Sequence, residues 1–203
     1  MTTIQVRNPR SGEIDYQIPS FSENEVIRRA ASLREAQKEW ASLSIENRCA
    51  ILKEWHTAIS DNRDIIANAL CLDTGRKAFS RFEVDVALKL IDHWIHRAPS
   101  LFKKDSGISN QVPSVNYQHT LIPYPIVAAI SPWNVPLILG LIDAIPALAA
   151  GCAVMLKPSE ITPRFAAPLE QTKNLVDGLS DVFTLIMGDG TSGKAMIDAA
   201  DAV

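Results

Sequence analysis

The chain has 203 residues, 47% of them hydrophobic, and a formal net charge of -3 from 20 basic and 23 acidic side chains. That length and apolar content allow one large or two small globular domains. Charges of both signs interleave along the whole sequence, which excludes a basic stripe for nucleic acid and a polybasic patch for anionic lipid. Three cysteines, Cys49, Cys71 and Cys152, are odd in number and lack metal-type spacing, so no metal is expected. With no apolar leader over residues 1–10, a reducing cytoplasm is the expected compartment. Leu121 to Leu156 carries a single charge, Asp143, but Pro123, Pro125, Pro132, Pro136 and Pro146 break it. It therefore reads as strand, covering helix and strand in a buried core, and not as a membrane span.

Two strand-like runs, Ile4 to Val6 and Ile14 to Ile18, flank the turn signal Asn8-Pro9-Arg10-Ser11-Gly12 and predict an opening hairpin. Ser22 and Glu25 form a capping box, after which Val26, Ala30, Leu33, Ala36 or Gln37, and Trp40 recur at helical spacing to about Ser42. Ser44 starts a second helix through Ile51, Leu52, Trp55 and Ile59, and Asp61 starts a third that Gly75 ends. Ser80 with Glu83 reads as the cap of a fourth, carrying Val84, Leu88, Ile91, Trp94 and Ile95 until Pro99 stops it. Lys103 to Pro113 is polar and turn-rich, and Val115 to Ile122 is extended. The pattern then alternates: strand over Ile126 to Ser131, helix over Val135 to Ala150, strand over Cys152 to Lys157, helix over Thr162 to Val176, strand over Val182 to Met187, helix over Thr191 to Ala199. Three βα units in succession predict a parallel sheet with right-handed crossovers. The expected organisation is a hairpin and helical part over 1–110, an extended segment over 111–125, and an α/β part over 126–203.

Ligands of an open parallel sheet sit at the carboxyl ends of its strands, which singles out three loops. Gly188-Asp189-Gly190-Thr191-Ser192-Gly193-Lys194 fits both a dinucleotide glycine pattern and a P-loop, although Ala195 stands where a P-loop needs Ser or Thr for magnesium. Glycines that merely allow a tight strand-to-helix turn are the plainer alternative. In Ile130-Ser131-Pro132-Trp133-Asn134, the Asn134 amide suits a developing oxyanion, although an Asn in a Pro-flanked turn is more often a cap or turn residue. In Lys157-Pro158-Ser159-Glu160, the carboxylate suits the two hydroxyls of a ribose or simply a solvated strand end.

Taken together, Pro-Trp-Asn, Pro-Ala-Leu-Ala-Ala-Gly and Lys-Pro-Ser-Glu-Ile-Thr-Pro, in that order at strand-helix-strand spacing, resemble the NAD(P)-dependent aldehyde dehydrogenase family. Asn8-Pro9 with Gly12, the Trp40 helix, Leu72-Asp73-Thr74-Gly75 with Lys77, and Glu83 extend the resemblance over essentially the whole chain. It implies an α/β fold of N-terminal helices followed by a Rossmann-like parallel sheet, as a truncated βαβαβα array. It also implies oxidation of an aldehyde to a carboxylic acid: a cysteine thiolate attacks, hydride passes to the nicotinamide, and glutamate-activated water hydrolyses the thioester. On that resemblance Asn134 is the oxyanion-hole asparagine, and Ile130, Ser131, Pro132 and Trp133 line the cofactor cleft. Lys157 and Glu160 bind the adenosine ribose, Ser159 is a further cofactor-binding residue, and Gly190 and Gly193 form the adenine-side loop. Glu160 points to NAD, with NADP left open. The nucleophile and general base are expected beyond Val203, so these residues alone are expected to be inactive. The natural protein is expected to be longer and to form a homodimer or homotetramer, partly through the Val115 to Tyr124 segment. Two departures, Cys152 where many members have Asn and Asp143 where a basic residue is common, suggest a subgroup; a non-catalytic nucleotide-binding or subunit-associating remnant is the alternative reading.

Overall fold

The opening residues alternate apolar and polar side chains, and a hairpin forms between β1 (Thr2–Arg7) and β2 (Ile14–Ser20) that buries Val6 and Ile18 on one face. Gly12 sits in the turn at φ +77°, a left-handed conformation that a side chain would strain. The structure, a computed structural model, describes residues 2–103 and 105–203; Met1, and Lys104 in the polar stretch before β3, lie outside the described residues. Four helices follow: α1 (Glu23–Ser42), α2 (Ile45–Asp61), α3 (Arg63–Thr74) and α4 (Lys77–Leu101). The Ser22 capping box is formed reciprocally with Glu25, Ser44 caps α2, and Gly75 at φ +70° ends α3, all as the sequence predicts.

Three local expectations are corrected. Asp61 is the last residue of α2, and Asn62 precedes α3 with its side-chain amide donated back to the Ala58 carbonyl. Ser80 and Glu83 do not begin α4, which starts at Lys77; Ser80 donates to the Arg76 carbonyl and Glu83 is buried against a later helix. Tertiary burial has recruited a residue that short-range spacing assigned to a cap. Pro99 lies inside α4, which runs on to Leu101, because so near the end a missing N–H forfeits little.

The polar stretch holds a strand after all. β3 (Asp105–Ile108) pairs antiparallel with β4 (Asn116–His119), whose residues are all exposed, so no burial period marks the hairpin in the sequence. Gly107 lies opposite Tyr117, where a Cβ would meet the tyrosine hydroxyl at 2.9 Å.

The α/β part comprises β5 (Ile126–Ile130), α5 (Pro136–Ala150), β6 (Ala153–Lys157), α6 (Ala166–Asn174), β7 (Phe183–Leu185) and α7 (Gly190–Ala199). Its strands are parallel in the order β5-β6-β7, and Ala202 adds a parallel bridge to Val127 on the other side of β5. The predicted α/β class holds, with β7 and α6 shorter than expected. One apolar core runs from Val26 on α1 through Trp55, Leu141 and Val154 to Met196 on α7, so the helices cover the sheet directly. No helix among the described residues is long and apolar enough to cross a membrane.

α6 starts late because its approach is held by an ion cluster. Arg164 donates from its backbone N to Asp73 Oδ2 at 2.7 Å and from Nε to Asp73 Oδ1 at 2.6 Å. Its Nη2 reaches Asp15, which also takes Asn8 Nδ2 at 2.9 Å, and the guanidinium lies over the Tyr16 ring. The Asn8 and Asp73 motifs thus fasten the hairpin and α3 to the turn after β6. Burial pushes the Asp73 carboxyl up to about 6 against the pull of the Arg164 donors. Replacing Arg164 with Leu strands that carboxylate and should cost about 3 to 5 kcal/mol in urea unfolding at pH 7. Only the backbone N–H of residue 164 then still donates to Asp73, and with the guanidinium's bond and charge gone the carboxyl rises further, so the deficit should grow as pH rises through 6 and narrow below it. A deficit that does not change with pH would show that the cluster is not held by this charge.

Candidate functional site

The carboxyl ends of the parallel strands bring the three predicted loops to one edge of the sheet. Ile130 pairs in register with Lys157, and Ser131 N donates to the Lys157 carbonyl at 2.9 Å. A Cβ on Gly193, in the first turn of α7, would stand 3.3 Å from Lys157 Cδ. Ser131, Lys157 and Gly193 are therefore neighbours. A separate cleft of about 770 Å³, lined in part by Leu43, Arg48, Leu121 and Cys152, lies at the opposite, amino end of β6.

The loop after β5 is tied down through its backbone. Arg76 Nη2 donates to the Asn134 carbonyl, Thr162 Oγ1 donates to the Trp133 carbonyl at 3.0 Å, and Ser131 Oγ donates to the Pro136 carbonyl at 2.5 Å. Glu83 Oε1 accepts from Leu137 N at 2.8 Å and Ile138 N at 3.4 Å. Pro136 at the first position of α5 has no N–H, and Val135 supplies no side-chain cap, so Glu83 receives the first donors of this helix. Burial raises the Glu83 carboxyl above its ordinary range despite those donors. Asn134 is exposed, and its side-chain amide is one that no hydrogen bond of the described residues engages. Trp133 and Ile130, 60% and 47% exposed, form an apolar rim beside it, with Pro132 also exposed.

Lys157 is only 5% exposed, yet its ammonium reaches Glu160 Oε2 at 3.1 Å and the Pro158 carbonyl at 3.3 Å. The Glu160 side chain is 41% exposed. Ser159 Oγ accepts from Ile161 N at 3.2 Å, which shapes the turn and leaves Ser159 itself half-buried. In the third loop Gly188 lies at φ +153° with Ser192 Oγ where its Cβ would be, so no side chain fits. Nothing comes within 4 Å of a Cβ on Gly190, whose backbone is open.

These groups suit the dinucleotide that the resemblance implies. An acceptor beside a donor matches the paired hydroxyls of a ribose, and exposed Trp133 and Ile130 offer an apolar wall. The loop before α7 suits phosphate poorly. Asp189 already caps the helix by accepting from Thr191 N at 2.9 Å, an interaction that lowers its own pKa and places negative charge at the helix start. Lys194 turns away to Asp198 with its side chain 78% exposed. A P-loop reading has nothing to stand on in this geometry.

Sequence reasoning missed Glu83, Arg76 and Thr162 as supports of the Asn134 loop. A signal existed for Glu83: it shares the buried stripe of Ser80, Val84, Ala87 and Ile91, and an acid on an apolar face needs a partner.

Comparison with known proteins bears on the family and the fold. A model of the aldehyde dehydrogenase family matches residues 1–202. The PutA protein of Anabaena variabilis superposes with a TM-score of 0.96 at 42% identity, over 98% of this chain and 42% of that one. An aldehyde dehydrogenase from Brucella melitensis biovar abortus 2308 gives a TM-score of 0.86 at 29% identity, over 96% of this chain and 40% of its own. Betaine aldehyde dehydrogenase from Staphylococcus aureus, in complex with NAD+, gives 0.88 at 25% identity, over the same shares. The chain thus spans about two fifths of the length of these relatives.

Replacing Lys194 with Ala should leave the affinity for adenine nucleotides unchanged in calorimetric titration, since its ammonium faces Asp198. A clear loss of affinity would restore the P-loop reading.

Proposed function

The chain belongs to the aldehyde dehydrogenase family, and from that premise we propose that it is the cofactor-binding portion of an NAD(P)-dependent enzyme that oxidises an aldehyde to a carboxylic acid. The observation that supports this reading most is the unengaged Asn134 amide at the end of β5, beside the Lys157–Glu160 pair at the end of β6. Asn134 would donate its N–H to the oxygen of the aldehyde as that oxygen becomes negative, a contact stronger in the transition state than in the ground state. Glu160 and Lys157 would hold the adenosine ribose, with Ile130 to Trp133 along the cleft, Gly190 and Gly193 at its adenine side, and Ser159 also in contact with the cofactor. The bound nicotinamide supplies the hydride acceptor.

The attacking thiolate, on this reading, comes from a cysteine outside these residues. Cys49 and Cys152 are buried with thiols that burial pushes up, and Cys71 is half-buried on α3. Residues beyond these would also supply the general base and most of the substrate pocket. Glu160 favours NAD, because a 2'-phosphate would face its carboxylate. The exposed β3–β4 hairpin supports assembly as a homodimer or homotetramer.

In the full polypeptide, Asn134→Ala should lower turnover by about 10²- to 10³-fold with cofactor affinity kept. Glu160→Ala should weaken NAD+ binding while turnover at saturating cofactor holds. Steady-state kinetics with equilibrium titration of NAD+ separates the two. The reverse pattern would overturn both assignments.

A further inference from the structure

Glu83 is fully buried, and its two oxygens are used unequally. Oε1 takes the Leu137 and Ile138 N–H groups, whereas Oε2 is buried without a hydrogen-bond partner among the described residues. A residue serving only as a helix cap would be served better by a short, partly exposed Ser or Asp, as at Ser22 and Ser44. Burying one carboxylate oxygen unpaired is costly, and such a group calls for a reason beyond the cap.

The reason lies three residues upstream. Asn134 precedes Pro136, the first residue of α5, so its backbone is set by how that helix begins. Glu83 fixes the first two N–H groups of the helix. Arg76, seven residues earlier on the same side of the chain and outside α4, fixes the Asn134 carbonyl. One anchor stands at the residue that precedes α4 and the other in its second turn, and both engage backbone, so the Asn134 side chain stays free. Ala, Ser or Asn at position 83 would be too short to cross from α4 to α5.

We infer that Glu83, assisted by Arg76, is a positioning residue that aims the Asn134 amide at the reacting oxygen, and that it acts by clamping the start of α5 from α4. This rests on the role proposed above for Asn134. The clamp explains why a long acid stands on a buried helical face, and it makes the geometry of the oxyanion donor depend on α4–α5 packing.

The test uses Glu83→Ala, Glu83→Gln and Arg76→Ala in the full polypeptide, read by kinetics, NAD+ titration and amide hydrogen exchange. Glu83→Ala should lower kcat by about 10²-fold, with the Kd for NAD+ unchanged and exchange at Leu137 and Ile138 accelerated. Glu83→Gln keeps the Oε1 acceptor and should restore most of both. Arg76→Ala, an exposed change that spares the core, should lower kcat in the same direction and keeps the proposal falsifiable if Glu83→Ala does not fold. Equal losses of kcat and of NAD+ affinity would overturn the inference, as would accelerated exchange with kcat intact or failure of Gln to rescue. A parent protein that oxidises no aldehyde would strike at the proposed function instead. Amide exchange, read without substrate, would still decide whether Glu83 holds the start of α5.

Discussion

The structure depends on the satisfaction of both ends of α5. This helix is almost wholly apolar and lies in the core, so its unpaired terminal N–H and C=O groups cannot turn to water. They are met by side chains from the helical part of the chain. At the start, Glu83 on α4 accepts from Leu137 and Ile138. At the end, Trp40 Nε1 donates to the Leu148 carbonyl at 2.9 Å, Arg48 Nε to Ala149 at 3.0 Å, and Gln37 Nε2 to Gly151 at 2.9 Å. The N-terminal helices are thus more than a cover for the sheet. They complete the hydrogen bonding of its first crossover helix.

That constraint reaches the site through the sheet. With α5 pinned at both ends, β5 and β6 are held in register, and the loops after Ile130 and Lys157 emerge side by side. Ala202 bridges Val127 on the far side of β5 from β6, so the strand order reverses at β5. A crevice at such a reversal, outside the carboxyl ends of the strands, is where open α/β sheets bind their ligands. Trp133, Asn134, Lys157 and Glu160 stand there because of topology, and the Arg164 cluster and Thr162 hold the second loop against the first.

Much of this was legible in the sequence. Helical spacing from Val26 to Trp40, the caps at Ser22 and Ser44, and the near-continuous apolar run around α5 each report a local preference strong enough to survive folding. The three loops were legible too, because strand and helix periods bracket them. What escaped was long-range and polar. Glu83 looked like a cap for its own helix, and only the fold brings it to another one. Asp73 and Arg164 lie 91 positions apart, and no spacing rule joins them. The β3 strand was hidden because an exposed hairpin needs no apolar alternation.

The central claim is that the crevice at the end of β5 and β6 takes the dinucleotide. Amide hydrogen exchange of the 203-residue chain with and without NAD+ tests it most directly. The account predicts slowed exchange confined to the loops over 131–135, 159–162 and 188–193. Protection centred instead on the cleft lined by Leu43, Arg48 and Cys152, or no protection at saturating NAD+, would contradict it.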